Sequence, residues 1–266
     1  MQGETQSRLD LALQIARDAG QLTLQFFQQR DLAVERKSDN SPVTRADREA
    51  EQLLRDRISQ AFPHDGVLGE EFGEQPGSSP YRWILDPIDG TKSFISGVPL
   101  YSVLIGILLD ERSVAGVILI PGLDECVYAA RGLGAWWRKG NAAPRPARVS
   151  SRSLSEGLFV LSQVDTFEHR GASEAFSRLQ RMAYITRTWG DAYGYLMVAT
   201  GRAEAMVDPI MNLWDAAAVQ PVLEEAGGAF TDWQGTPTVH SAEGVGCNRN
   251  SLDDVLAITR DYPKPD

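Results

Sequence analysis

WILDPIDGTKSF, residues 83–94, sets an apolar run against two aspartates three positions apart, with a glycine and a threonine directly behind the second. Trp83-Ile84-Leu85 reads as a buried strand. Pro87 holds Asp86 extended and, lacking an N–H, is expected to end the ladder. Asp86 and Asp89 are therefore expected at a strand end and in the turn behind it. Gly90-Thr91 then leads into a short helix whose free backbone N–H groups suit a phosphate. Clustered carboxylates repel one another unless protonated or bridged by cations, and hard oxygen donors suit Mg²⁺. Taken alone, Asp-Pro and Asp-Gly equally well make an ordinary turn.

Working outward, 266 residues at 42% apolar and 23% charged have room for one large core or two packed halves. The net charge of −10 and the lack of a Lys/Arg cluster argue against a nucleic-acid partner. Cys126 and Cys247 form neither a CxxC nor a Cys/His pattern, so no disulfide framework or zinc site is expected. With no basic-then-apolar N-terminus and no long apolar run, a soluble, cytoplasmic protein without a membrane partner is expected.

Helical spacing marks a first helix from Ser7 to about Gln29, with Ser7-Arg8-Leu9-Asp10 read as its capping box, and a second with apolar face Ala46, Ala50, Leu53, Leu54 and Ile58. The polar stretch Lys37 to Pro42 between them reads as an exposed loop. β-type runs follow at 67–71, 82–86, 101–109, 114–120, 125–130 and 134–138, a succession that favours antiparallel pairing. After Asn141 to Pro146 the pattern alternates: strands at 157–161, 184–187, 203–207 and 229–232, helices at 174–182, 192–200 and 214–226, and a last helix from Ser251. The alternation implies α/β layering. Residues 1–145 are thus expected to form an α+β half and 146–266 an α/β half.

Further acids lie at Glu70-Glu71, at Asp215 in Trp214-Asp215-Ala216-Ala217, and at Asp47. Each has a bland reading as a solvated strand end, a helix-dipole partner or a capping-box residue. An aspartate followed by Asp-Gly-Thr also resembles haloacid-dehalogenase phosphatases, but the spacing is one residue too long and Asp86 lies too far into the chain.

Taken together, the order Asp47, Glu70-Glu71, Asp86-Pro87-Ile88-Asp89-Gly90-Thr91, Trp214-Asp215 resembles the inositol monophosphatase superfamily over nearly the whole chain. No metal-position residue departs from that pattern. The resemblance implies a layered αβαβα sandwich of the inositol monophosphatase and fructose-1,6-bisphosphatase type. It also implies two or three Mg²⁺ ions, with Mn²⁺ as a substitute, on Glu70, Asp86, the Ile88 carbonyl, Asp89 and Asp215. By the same resemblance Glu70 and Thr91 activate water, Asp47 supports Thr91, Glu71 orients neighbouring ligands, Gly90 and Thr91 hold phosphate oxygens, and Lys37 lies either near the metals or in solvent. A homodimer and lithium sensitivity are further implications.

Within the superfamily, the segments GTKSFISGVPL, GDAYGY and VDPIMNLWD resemble the histidinol-phosphatase branch. Histidinol phosphate carries an ammonium and an imidazole beside its phosphate. Asp191 and Asp208 are expected to pair with the ammonium and Asn212 to hydrogen-bond the ring, although Asp191 also reads as an N-cap and Asp208 as a strand-end turn. Inositol-1-monophosphatase, 3′(2′),5′-bisphosphate nucleotidase and a non-catalytic metal-binding regulator remain alternatives.

Overall fold

The computed structural model describes residues 2–29, 33–37 and 41–263; residues 38–40 of the expected polar loop lie outside them. Helix α1 (Gln2–Phe26) begins before the expected capping box. Ser7 is inside it, its hydroxyl donating to the Gly3 carbonyl at 3.0 Å. A ribbon of β1 (Val34–Arg36) and β2 (Pro42–Thr44) leads to α2 (Arg45–Ala61). Here a capping box does form: Thr44 caps the helix, and Asp47 accepts the Thr44 N–H at 2.8 Å.

Eight strands make the larger sheet: β3 (Gly66–Gly69), β4 (Gly73–Gln75), β5 (Tyr81–Asp89), β6 (Ser102–Leu109), β7 (Arg112–Ile120), β8 (Glu125–Ala130), β9 (Ala135–Lys139) and β10 (Arg145–Pro146). Helix α3 (Thr91–Ile95) sits between β5 and β6. The strand order is β10-β9-β8-β7-β6-β5-β3-β4. Pairing is antiparallel as expected except between β3 and β5, which run parallel.

The second sheet comprises β11 (Leu158–Val160), β12 (Ile185–Arg187), β13 (Ala205–Asp208), β14 (Ala229–Thr231) and β15 (Gly244–Cys247), ordered β12-β11-β13-β15-β14. Helices α4 (Asp165–His169), α5 (Ser173–Met182), α6 (Ala192–Ala199), α7 (Leu213–Ala216), α8 (Val219–Glu225) and α9 (Arg249–Thr259) complete the chain. Three apolar clusters define the layers. Helices α1 and α2 cover one face of the large sheet, α6 to α8 fill the space between the sheets, and α4, α5 and α9 close the far side. This is the αβαβα sandwich. Among the described residues no helix is long and apolar enough to cross a membrane.

Two departures from the expected elements shape the site. Pro87 does not end β5; the strand runs on to Asp89 through an irregularity in which Asp86 pairs with Leu104 and Asp89 with Ser102. Three steps on β5 thus match two on β6, so Pro87's missing donor falls in a bulge. In a regular strand residues three apart face opposite sides; the extra residue turns Asp86 and Asp89 to the same side.

The expected helix 214–226 is instead two helices, α7 and α8, broken at Ala217-Ala218. Pro221 has no N–H to give the Ala217 carbonyl, which takes the Ser113 hydroxyl instead. The break rests on Gly106 and Gly116, register partners on β6 and β7. A Cβ on Gly106 would come within 2.5 Å of the Ala217 Cβ, and one on Gly116 would strike the Ala218 carbonyl. This flat seat fixes where Asp215 stands.

Gly116→Ala should therefore destabilise the fold by about 1–3 kcal/mol, as overpacking does, read from the urea midpoint. A midpoint equal to the parent's would show that the seat is not tight.

Candidate active site

Asp86 and Asp89 come from the β5 bulge, and Asp215 comes from the third position of α7, where its carboxylate accepts the Asn212 N–H at 2.7 Å. Carboxylate oxygens of these residues lie within 4.8 Å of one another, an oxygen-only group of three among the described residues. Burial, followed by the charges of Glu70, Asp89 and Asp215, holds Asp86 well above the ordinary carboxylate range. Burial and then the charges of Asp191 and Asp215 do the same to Asp89. Asp215 is pushed up to about 7 by burial, against the Asn212 N–H bond. Two buried acids and a half-buried one, with hard donors and no partnering side-chain cation among the described residues, fit a divalent metal ion.

Around this group the other acids are held individually. Glu70 follows β3, and its carboxylate takes the Lys37 ammonium at 2.7 Å; the same ammonium reaches Glu71 at 2.6 Å. Lys37 is thus drawn into the acid cluster rather than left to solvent. Burial lowers its pKa, but the two carboxylates more than offset this and hold it above the usual lysine range. Burial pushes Glu71 up to about 7 against the pull of Lys37.

Asp47 is buried, and burial raises its pKa against its Thr44 hydrogen bonds. The Thr91 hydroxyl lies 3.4 Å from the Asp47 carboxylate and 3.2 Å from the Ile88 carbonyl. Asp89 links β5 to β6 and to α6. One of its oxygens, Oδ2, accepts from the Ser102 hydroxyl and, at 2.7 Å, from the N–H of Ala192, the first residue of α6. Gly90 has φ +85°, which glycine adopts without strain. A Cβ there would also lie 2.5 Å from Asp191 Oδ2.

These residues open on a cavity of about 410 Å³ whose lining includes Glu70, Asp89, Thr91, Asp191, Asp208 and Asp215. Asp191 stands before α6 at φ 48°, ψ −155° and gives the helix no side-chain cap, a task Asp89 performs in its place. Burial raises its pKa against the Ser162 hydroxyl and the Lys92 charge. Asp208 ends β13, buried, and burial pushes it up to about 7 against the Tyr195 and Ser162 hydroxyls. Asn212 is exposed at the head of α7 and does not line the cavity.

Several contributors have no signal in the sequence. Glu51 resembles a surface i,i+4 partner of Arg55, yet it is fully buried and also accepts the Glu71 and Phe72 N–H groups at 2.7 and 3.2 Å. Gly69 leaves room for it, since any Cβ there would overlap the Glu51 carboxylate. Ser102 and Ser162 likewise carry no signal, and Tyr195 stands in GDAYGY without a role of its own there; a hydroxyl becomes significant only when the fold gives it a partner.

The profile of the Inositol monophosphatase family matches residues 4–263. The chain is 44% identical over 245 residues to a histidinol-phosphatase of Chlorobaculum parvum, covering 92% of this chain and 93% of that protein. It is 38% identical to a histidinol-phosphatase of Mycobacterium tuberculosis, covering 93% and 96%. Among solved structures, the extragenic suppressor protein suhB of Bartonella henselae superimposes with a TM-score of 0.88 at 28% identity, covering 97% of this chain and 100% of that one. A match that runs almost from end to end, on a fold whose acidic group joins the β5 bulge to the head of α7, places the chain in the inositol monophosphatase family.

Proposed function

We propose that the chain is a metal-dependent phosphoric monoester hydrolase acting on L-histidinol phosphate. The observation that carries the substrate assignment is a pair of acids, half-buried Asp191 and buried Asp208, in the wall of the cavity that begins at the carboxylate cluster. They offer an ammonium what a polyol does not need. The relatives named histidinol-phosphatase support the same reading.

Glu70, Asp86, the Ile88 carbonyl, Asp89 and Asp215 would hold two or three Mg²⁺ ions, or Mn²⁺ in their place; bound there, the ions supply positive charge for a phosphate and lower the pKa of water. The chain's own part is positioning and proton transfer. Asp47 and the Ile88 carbonyl take the Thr91 hydroxyl hydrogen, so the Thr91 oxygen presents its lone pairs to a water. Glu70, on the cavity wall, accepts the proton of that water. The N–H groups of Gly90 and Thr91 bind the phosphate. Residues 1–145 carry most of the ion-holding set, and residues 146–266 contribute Asp215 and the acids that select the leaving group. A homodimer belongs to the same reading.

Purified protein in Mg²⁺ should turn over histidinol phosphate with a higher kcat/KM than inositol 1-phosphate or 3′-phosphoadenosine phosphate. Asp191→Asn should cost the amine-bearing ester about 10–100-fold, the loss expected for one hydrogen bond to a charged group, and the other esters less. Equal losses on all three would remove Asp191 from substrate selection, and ion binding with no hydrolysis of any ester would favour a regulatory protein.

Asp86→Asn should abolish most turnover while the thermal midpoint stays at or above that of the metal-free parent, because one of several repelling charges has gone. Retained activity would exclude Asp86 from the ion-holding set.

Mg²⁺ should raise the thermal midpoint at pH 7.5 and do so less at pH 5.5. Asp215, raised to about 7, contributes stability below its unfolded pKa that is lost as pH rises through 7. The ion restores it there and competes with the proton at lower pH. A midpoint indifferent to Mg²⁺ at both pH values would count against a metal site.

A further inference from the structure

Asp191 and Asp208 are not equivalent. Both oxygens of Asp208 are engaged within the protein: Oδ2 accepts the Tyr195 hydroxyl at 2.8 Å and Oδ1 the Ser162 hydroxyl at 3.0 Å. The Ser162 oxygen in turn accepts the Asp191 N–H at 3.0 Å. The result is a directional chain, with Tyr195 and Ser162 both donating to Asp208 and the Asp191 backbone donating to Ser162.

Both ends of this chain are rigidly built. The Tyr195 ring is 1% exposed and packs edge-on against Phe230, with centroids 5.9 Å apart. Its slot is cut by two glycines on one face of β15. A Cβ on Gly246 would lie 2.7 Å from the ring, and one on Gly244 would lie 3.1 Å from the hydroxyl. At the other end Asp191, with φ 48° and ψ −155°, occupies a region that costs a non-glycine residue on the order of 1–3 kcal/mol and persists only when its surroundings enforce it. The Ser162 hydroxyl is one enforcing contact. The close backbone approach of Gly190 to Ser162 is another, since a Cβ on Gly190 would overlap the Ser162 Cα. So held, the Asp191 carboxylate lies directly against Gly90, at the head of the turn where the phosphate is proposed to sit. An acceptor this near meets an amine two carbons from the ester oxygen, not one at the end of a long chain.

We infer that Tyr195, Asp208 and Ser162 are positioning residues that hold Asp191 in its strained conformation, so that Asp191 alone receives the ammonium of a β-aminoalkyl phosphate. The inference rests on the proposed phosphatase reading and narrows it.

The test uses the full-length protein in Mg²⁺ with two matched pairs of esters: histidinol phosphate against its deaminated counterpart, and 2-aminopropyl phosphate against propyl phosphate. The readout is the ratio of kcat/KM within each pair. Tyr195→Phe keeps the ring in its slot and removes one donor; it should lower the ratio about tenfold, mainly through KM of the amine-bearing ester. Ser162→Ala should do the same and carries the test alone should the tyrosine variant fail to fold by thermal midpoint. The double variant should lose little beyond either single one, since both interrupt one chain. Equal loss on both members of a pair, an unaltered ratio, or fully additive losses would overturn the relay. Failure to turn over histidinol phosphate would sink the substrate assignment instead, and the 2-aminopropyl pair would still decide the relay.

Discussion

Everything in the molecule is arranged around a repulsion. Asp86, Asp89 and Asp215 bring oxygens within 4.8 Å of one another, the first two buried and the third half-buried. Two charges at that separation repel by about 3–4 kcal/mol even at an effective dielectric constant near 20. No carboxylate would choose this position; each is forced there by backbone that has other reasons to be where it is. The bulge turns two of them to one side of β5, and the α7–α8 break, seated on Gly106 and Gly116, delivers the third. The glycines and the small alanines of the break are therefore as much part of the site as the acids.

Much of this could be read from the chain because the decisive acids lie in short local patterns. Asp86 to Thr91 and Trp214 to Ala217 each declare a strand end or a helix start within a few residues, and the Thr44–Asp47 box formed as its spacing implied. What escaped were features whose meaning depends on a partner far away in sequence. Pro87 ordinarily stops a ladder, and only the presence of β6 opposite converts the stop into a bulge. The run 214–226 has helical periodicity throughout, and the carbonyl orphaned by Pro221 finds its donor on Ser113. Strand β15 went unread because Gly244 and Gly246 carry no side-chain pattern; their role is to leave space for Tyr195.

Charge followed the same rule. Glu51 and Arg55 look like an exposed helical pair by spacing, yet Glu51 is sealed against Gly69 and ties down the backbone of Glu71 and Phe72. Lys37 had a solvent reading as good as its functional one until the fold brought Glu70 and Glu71 to it. Asn212 illustrates the reverse, a polar residue in a telling motif whose place at the head of α7 lies outside the cavity lining.

Asp89 has a consequence for the mechanics of the whole molecule. Its Oδ2 oxygen belongs to β5 by chain connection and to α6 through the Ala192 amide, so the large sheet is tied to the helix layer behind it by the same side chain that faces the acid cluster. Prising α6 off the large sheet at this point would break that hydrogen bond, typically about 0.5–1.5 kcal/mol. Any motion that lifts α6 from β5 therefore also strips Asp89 of a donor, so the seating of that helix and the state of the acid cluster are mechanically linked.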